Sequence, residues 1–75
     1  MEQERERIDL SDLSNSQIGN LIDEWIHSER DRNILRRRLI DGLTFDELSE
    51  EFHLSHRQAQ NIVYRSQKEF FKHLF

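Results

Sequence analysis

The sequence predicts an all-α protein, a small four-helix domain with a C-terminal helix-turn-helix. Its 75 residues are enough for one domain with a thin hydrophobic core. It contains no proline and only two glycines, the residues that most often interrupt helices. Apolar residues recur three and four positions apart, and a serine or threonine precedes each such stretch. Together these features favour short helices with defined beginnings.

The first helix is predicted to begin at a capping box. We divide the chain into a frayed N-terminal lead-in, residues 1–13, and a helical domain, residues 14–75. Ser14 and Gln17 have the spacing at which each side chain can satisfy a backbone N–H of the other. An apolar stripe at helical spacing follows, formed by Ile18, Leu21, Ile22 and Trp25.

The second helix is predicted to begin after Ser28, with Asp31 as the partner in a capping box. Its inward stripe is Ile34, Leu35 and Leu39. Asp41-Gly42 should end it, because glycine accepts the left-handed conformation found at helix C-termini. Three consecutive arginines, residues 36–38, point about 100° apart on a helix, so they cannot form one patch.

The third and fourth helices are predicted to be joined by a turn of three residues, 53–55. Thr44 and Glu47 form another capping box, and Ser55 caps the last helix, which we place at 56–70, with an extension toward Leu74. The inward residues are Leu48, Phe52, Leu54, Ala59 and Ile62. This is the helix-turn-helix pattern, in which the second helix projects outward and can enter a major groove. The alternative is a helical corner without a ligand.

Charge is unevenly distributed along the chain. Residues 1–51 contain 14 acidic and 7 basic residues, a net charge of −7, whereas residues 52–75 contain 1 and 4, a net charge of +3. We therefore expect an acidic body with a basic C-terminal surface, which would orient an encounter with DNA. Ordinary solvated surface at both ends is the alternative.

Other features of the sequence restrict the class of protein. There are no cysteines, and no apolar run approaches the roughly 20 residues that a membrane-spanning helix needs. The N-terminus lacks the layout of a signal peptide, so we expect a cytoplasmic protein with no membrane contact. His53 and His56 lie three apart, but no third metal ligand follows at a suitable spacing. We expect no metal, no cofactor and no enzymatic activity.

Residues 29–70 resemble region 4 of the bacterial sigma-70 family. The resemblance is carried by Arg30-x-Arg32-x-Ile34-Leu35, by Gly42-Leu43-Thr44, by the acidic Asp46-Glu47-Leu48, and by Ser55 with Arg57. It implies that the last helix reads a promoter −35 element in double-stranded DNA. It also implies that the preceding helices bind the beta-flap of RNA polymerase, or another sigma subunit. A phage or mobile element is the source we expect for such a small regulator.

The resemblance also assigns roles to individual residues. The positions expected to contact DNA bases are His56, Arg57, Gln60, Asn61 and Tyr64. Arginine pairs with guanine, and glutamine or asparagine pairs with adenine. The positions expected to contact phosphates are Thr44, Ser55, Arg65, Lys68 and Lys72. His53 occupies the turn position at which the family usually has glycine, so we expect a positive φ there.

Two alternatives concern the partners of the domain. Four large apolar residues stand near the C-terminus: Phe70, Phe71, Leu74 and Phe75. They either form a homodimer interface or, for Phe70 and Leu74, fold back to close the core. In the second functional interpretation, the domain is a protein-interaction module that binds RNA polymerase or a sigma subunit with little DNA contact, as its acidic body favours.

Overall fold

The computed structural model describes residues 12–74, for Leu74 the backbone only. Over this range the chain forms four helices and no strand, which confirms the all-α prediction. They are α1 (Asn15–Trp25), α2 (Glu29–Leu39), α3 (Phe45–Phe52) and α4 (His56–Leu74). Within this range no helix is both long and apolar enough to cross a membrane.

The beginnings of α1 and α3 have the predicted capping boxes. The N–H of Gln17 donates to Ser14 Oγ at 3.1 Å, and the N–H of Ser14 donates to Gln17 Oε1 at 2.8 Å. Thr44 and Glu47 repeat the arrangement at 3.1 and 2.8 Å. Each box satisfies two backbone donors that the helix leaves unpaired, and loss of such a cap typically costs about 1 kcal/mol.

The predicted box at the start of α2 is only half formed, which corrects the sequence interpretation. Ser28 Oγ accepts from the N–H of Asp31 at 3.3 Å, as expected. The Asp31 carboxylate does not return the bond, because it accepts from Arg30 Nε at 3.2 Å and Arg65 Nη2 at 3.3 Å. It therefore links the start of α2 to α4 instead of closing its own cap.

The hydrophobic core consists of two clusters, one on each side of α2. The first cluster contains Ile18, Ile22, Ile26, Leu35 and Phe70. The second contains Ile34, Leu48, Ala59, Ile62 and Val63. The neighbours Ile34 and Leu35 thus face different clusters, and α4 contributes to both. Because both α2 and α4 contribute to both clusters, they form the central pair of the fold. Full burial of each large aliphatic side chain contributes about 1.5–3 kcal/mol.

The C-terminal aromatic residues belong to the core more than to the surface. Phe70 is 0% exposed, and its ring centroid lies 5.3 Å from that of Trp25. Phe71 is half-buried against the same cluster. Phe70 therefore folds back to close the first cluster, as one of the two alternatives predicted, and the homodimer stays a prediction. The Leu74 side chain and Phe75 lie outside the described residues.

Leu13, before α1, and Leu54, in the turn between α3 and α4, both pack against the core. Residues 1–11 of the predicted lead-in lie outside the described range, but Leu13 packs against the first cluster, so the ordered domain begins before residue 14. In the turn, His53 has φ 57° and ψ 47°, the left-handed conformation expected for this position. Leu54 packs against the second cluster, where α3 meets α4.

Candidate nucleic-acid interface

One face of α4 points away from the core and is rich in polar and basic residues. Helical geometry places positions i, i+4, i+7, i+11 and i+15 on one stripe, opposite the buried residues of α4. We call this stripe the α4 ridge, and all of its members are exposed: Arg57, Asn61, Tyr64, Lys68 and Lys72. Tyr64 is 56% exposed although it is a large aromatic residue.

The start of α4 is fixed by contacts of its own. The N–H of Gln58 donates to Ser55 Oγ at 3.0 Å, and the N–H of Ser55 donates to Gln58 Oε1 at 2.9 Å. This second member of the capping box was missed in the sequence, although its spacing equals that of Ser14 and Gln17. Ala59, fully buried in the second cluster, holds the first turn of α4 against the core. The ridge is thus presented by a rigid helix.

The predicted base-contacting residues differ in their exposure and in their contacts with α3. The side chains of Arg57 and Asn61 are exposed and form no hydrogen bond or ion pair with any other described residue. Gln60 is half-buried on the flank of the ridge. His56 and Tyr64 are exposed, yet both contact Phe45 of α3 by ring edges, at centroid distances of 5.8 and 5.7 Å. The sequence patterns gave no sign of this role for Phe45.

A second contact from α3 reaches the first residue of α4. His56 Nδ1 lies 2.7 Å from Asp46 Oδ1, while about half of the His56 side chain stays exposed. Arg38 lies over the ring of Phe45, 4.4 Å from its centroid. Two residues in the first turn of α3, Phe45 and Asp46, therefore contact the His56 ring. Residues ten positions apart show no periodic signal, so only the packing of α3 on α4 brings Asp46 and His56 together.

The predicted phosphate-contacting residues divide into three groups. Lys68 and Lys72 are exposed on the ridge, without a partner among the described residues. Arg65 lies beside the ridge and pairs with Asp31, but its side chain stays 65% exposed. The N–H groups of Thr44 and Ser55 donate to the capping side chains of Glu47 and Gln58, so a phosphate at either helix start would meet the backbone amides that follow.

The start of α3 is the poorer of these two helix starts for an anion. Asp46 and Glu47 stand in its first turn, whereas the first turn of α4 has no acidic residue. Negative side chains at a helix N-terminus compete with phosphate for the same positive end of the helix dipole. Of the two candidates, Ser55 is thus the better placed, and Thr44 is the weaker.

The arginines of α2 are used inside the molecule. Arg32 Nη1 donates to the carbonyls of Ile26 and His27 at 2.9 and 3.0 Å, which closes the end of α1. Arg36 Nη2 donates to the Gly19 carbonyl at 3.2 Å. Arg38 Nη1 donates to the Leu43 carbonyl at 2.7 Å. The prediction that consecutive arginines point in different directions agrees with these contacts.

Arg37 crosses from α2 to the end of α3. It donates from Nε and Nη2 to the two Glu51 carboxylate oxygens at 2.9 and 2.7 Å, and from Nη1 to Asp41 at 2.7 Å. These hydrogen bonds, first with Glu51 and then with Asp41, raise the pKa of Arg37 above its ordinary value. The pair borders an open cleft of about 360 Å³ between α2 and α3, lined also by Asn33, Ile40 and Phe52.

Neither a metal-binding cluster among the described residues nor a comparison with known proteins identifies a function. In the part of the chain that the structure describes, no three His, Asp or Glu side chains gather as a metal ion would need. Comparison of the chain with family models, with curated proteins and with solved structures found no match.

Proposed function

We propose that this protein is a DNA-binding transcriptional regulator, similar to region 4 of sigma-70 factors, that reads a promoter element in the major groove with α4. One observation carries the proposal. The α4 ridge exposes basic, amide and aromatic side chains, and Arg57, Asn61, Lys68 and Lys72 are not engaged by any other described residue. Side chains of these types at a helix surface are those that hydrogen-bond base edges and phosphates.

The dimensions of α4 suit a major groove. The helix has 19 residues, so it is about 28 Å long. The groove of B-DNA is about 12 Å wide and admits one helix. In helix-turn-helix proteins the N-terminal part of the second helix contacts bases. By that geometry Arg57, Asn61 and Tyr64 meet base edges, and Lys68 and Lys72 reach the phosphate backbone.

The distribution of charge supports the same orientation. The helix carries Arg57, Arg65, Lys68 and Lys72 but a single acidic residue, Glu69, which interacts with His73. The acidic residues of α1 and α3 disfavour an approach of DNA from those sides. An acidic body with one basic surface steers DNA toward that surface, and the steering weakens as salt screens the charges.

The experiment that tests the proposal is selection of bound sequences from random duplex DNA, with and without RNA polymerase. We expect one short motif to be enriched. A mobility shift with that motif should weaken at least about tenfold in the double variant Arg57→Ala, Asn61→Ala, because each lost base contact of this type costs about 1–3 kcal/mol.

A matched control distinguishes the ridge from a general effect of charge. Arg37→Ala removes the same positive charge from α2, at a side chain that is 40% exposed and borders the cleft that residues 33–52, and none of α4, line. It should leave the mobility shift within about twofold of wild type. Enrichment of no motif in either selection would refute the proposal, as would equal weakening by the control and the ridge variant.

A protein partner is the second candidate, favoured by the cleft between α2 and α3. Its lining mixes the apolar Ile40 and Phe52 with charged side chains of both signs, among them Arg37 and Glu51, as a protein partner would require. RNA polymerase or a sigma subunit is the partner that the resemblance suggests. Retention of polymerase by DNA-free protein, lost in Asn33→Glu at an exposed residue of the cleft and kept in the Arg57→Ala, Asn61→Ala variant, would favour this function over DNA reading.

A further inference from the structure

We propose that Asp46 of α3 is a positioning residue that makes His56 present a hydrogen-bond acceptor to DNA, and so selects an amine-bearing base at one position of the site. The inference rests on the proposed function, because it concerns which base α4 reads. It assigns to α3 a part in specificity, in addition to supporting α4.

The first step concerns the hydrogen between Asp46 and His56. The Asp46 Oδ1 and His56 Nδ1 atoms lie 2.7 Å apart, a hydrogen-bond distance. An ionised carboxylate can only accept, so the hydrogen must be on Nδ1 of the imidazole. In a neutral imidazole with its hydrogen on Nδ1, the other nitrogen, Nε2, has a lone pair and accepts. In the neutral imidazole, Asp46 thereby favours the tautomer of His56 with its hydrogen on Nδ1, across a pair in which 85% of the Asp46 side chain is exposed.

The second step concerns the orientation of the ring. Phe45 meets His56 edge-on, with ring planes 67° apart. Phe45 is itself held, since the Arg38 guanidinium lies 4.4 Å from its centroid and donates to the Leu43 carbonyl. Two neighbours on α3 therefore hold the imidazole, and 52% of the His56 side chain stays exposed. No other described residue is hydrogen-bonded to Nε2.

The third step follows from the chemistry of the bases. In the major groove adenine and cytosine offer an exocyclic amine as donor, whereas guanine offers only the acceptors N7 and O6. In the neutral imidazole a bare Nε2 matches an amine and opposes guanine, because two lone pairs would face each other, whereas an imidazolium would donate from Nε2 and match guanine. Base preference is therefore compared at a pH of about 8, where a free imidazole is neutral. We therefore expect adenine or cytosine to be preferred over guanine at the base that faces the first turn of α4.

The test compares base preference in wild type and Asp46→Asn. An amide can donate to Nδ1 as well as accept from it, so the tautomer is no longer fixed. We expect the preference for adenine or cytosine over guanine at that position to fall about fivefold, the loss of roughly one hydrogen bond. Glu50→Gln is the matched control: it removes the same charge from α3 at an exposed residue without a described partner, and should leave the preference unchanged.

Two further measurements separate this effect from a merely structural one. Long-range proton–nitrogen correlation spectra of the neutral imidazole distinguish its tautomers, and should show the hydrogen of His56 on Nδ1 in wild type and mixed tautomers in Asp46→Asn. In a His56→Ala background, Asp46→Asn should no longer change base preference. Unfolding curves of each variant establish that the domain is folded.

The outcomes keep this inference distinct from the proposed function. If the protein enriches a motif but Asp46→Asn leaves its base preference unchanged, the inference is overturned and DNA reading stands. A hydrogen on Nε2 in wild type also overturns it. If the protein enriches no motif, both fall, even when the spectra show the expected tautomer.

Discussion

The arginines of α2 and the basic residues of α4 have the same charge but opposite surroundings. Four of the five α2 arginines bond to another part of the domain, namely Arg32, Arg36, Arg37 and Arg38, whereas Arg30 pairs with its neighbour Asp31. On α4, by contrast, Arg57, Lys68 and Lys72 have no partner among the described residues, and Arg65 makes one contact at 3.3 Å while staying largely exposed.

The difference follows from where the two helices lie. α2 lies between the two core clusters, so its long side chains reach carbonyls at the end of α1 and in the loop before α3, together with nearby carboxylates. The α4 ridge, apart from Tyr64 with its contact to Phe45, makes no described side-chain contact with another helix. The arginines of α2 therefore hold parts of the fold together, whereas the ridge is the surface that we propose for DNA. A count of basic residues in the sequence does not separate these two uses.

We expect the greatest loss of DNA binding when two exposed basic side chains of α4 are removed together. Arg57→Ala with Lys68→Ala should weaken DNA binding by about 10- to 100-fold, since one base contact and one phosphate contact are lost. The free energy of unfolding should change by less than about 0.5 kcal/mol, because both side chains are exposed. Fluorescence anisotropy and urea unfolding measure the two quantities. A ridge variant that unfolds easily would mean that these side chains hold the fold together.

Arg38→Ala should give the opposite pattern on the α2 side. It removes a charged hydrogen bond to the Leu43 carbonyl and the contact with the Phe45 ring, so we expect a loss of about 2 kcal/mol in the free energy of unfolding. Lys68→Ala is the comparison, with almost no loss. Urea unfolding with unchanged m-values would measure both. Equal stability of the two variants would contradict the division of roles.

The salt dependence of DNA affinity should also distinguish the basic residues of α4 from the arginines of α2. The logarithm of DNA affinity should fall with the logarithm of salt concentration, and each phosphate contact adds about 0.9 to the slope. Lys72→Ala should therefore lower the slope by about 1, whereas Arg37→Ala, at the cleft between α2 and α3, should leave it unchanged. Anisotropy titrations at several salt concentrations measure the slopes. An equal decrease in both variants would show that DNA responds only to net charge.

The smallest expected effect concerns Gly19 and Arg36. A Cβ at Gly19 would lie 2.9 Å from Arg36 Nη1, the mobile end of a long side chain. Gly19→Ala should gain about 1 kcal/mol of helix propensity and lose about as much when the guanidinium leaves the Gly19 carbonyl. The net change in unfolding free energy should thus stay within about 0.5 kcal/mol.

The matched test repeats the substitution without the arginine. In an Arg36→Ala background, Gly19→Ala should stabilise the domain by about 1 kcal/mol, because only the gain in helix propensity is left. A double-mutant cycle of unfolding free energies measures the difference. Identical effects in both backgrounds would mean that Arg36 does not depend on the glycine.

Local signals in the sequence were sufficient for much of the fold. The capping residues Ser14 and Thr44, the left-handed His53 and the inward stripe of α4 follow from spacings of a few residues, and so does the exposed ridge. Contacts between distant helices were not predictable in this way. Asp31 pairs with Arg65, and Asp46 with His56, only because the helices pack as they do. The closing of the first cluster by Phe70 was one of two alternatives that the sequence left open.

The most direct test of the account maps DNA onto the folded protein. Amide chemical shifts of the labelled domain should be followed as a short random-sequence duplex is added at low salt, where binding independent of sequence is strongest. The account predicts that the largest shifts fall on the ridge, from Arg57 through Lys68, while the amides around Arg36 and Arg37 stay in place. Shifts concentrated on α2 and α3, or no shifts at all, would contradict it.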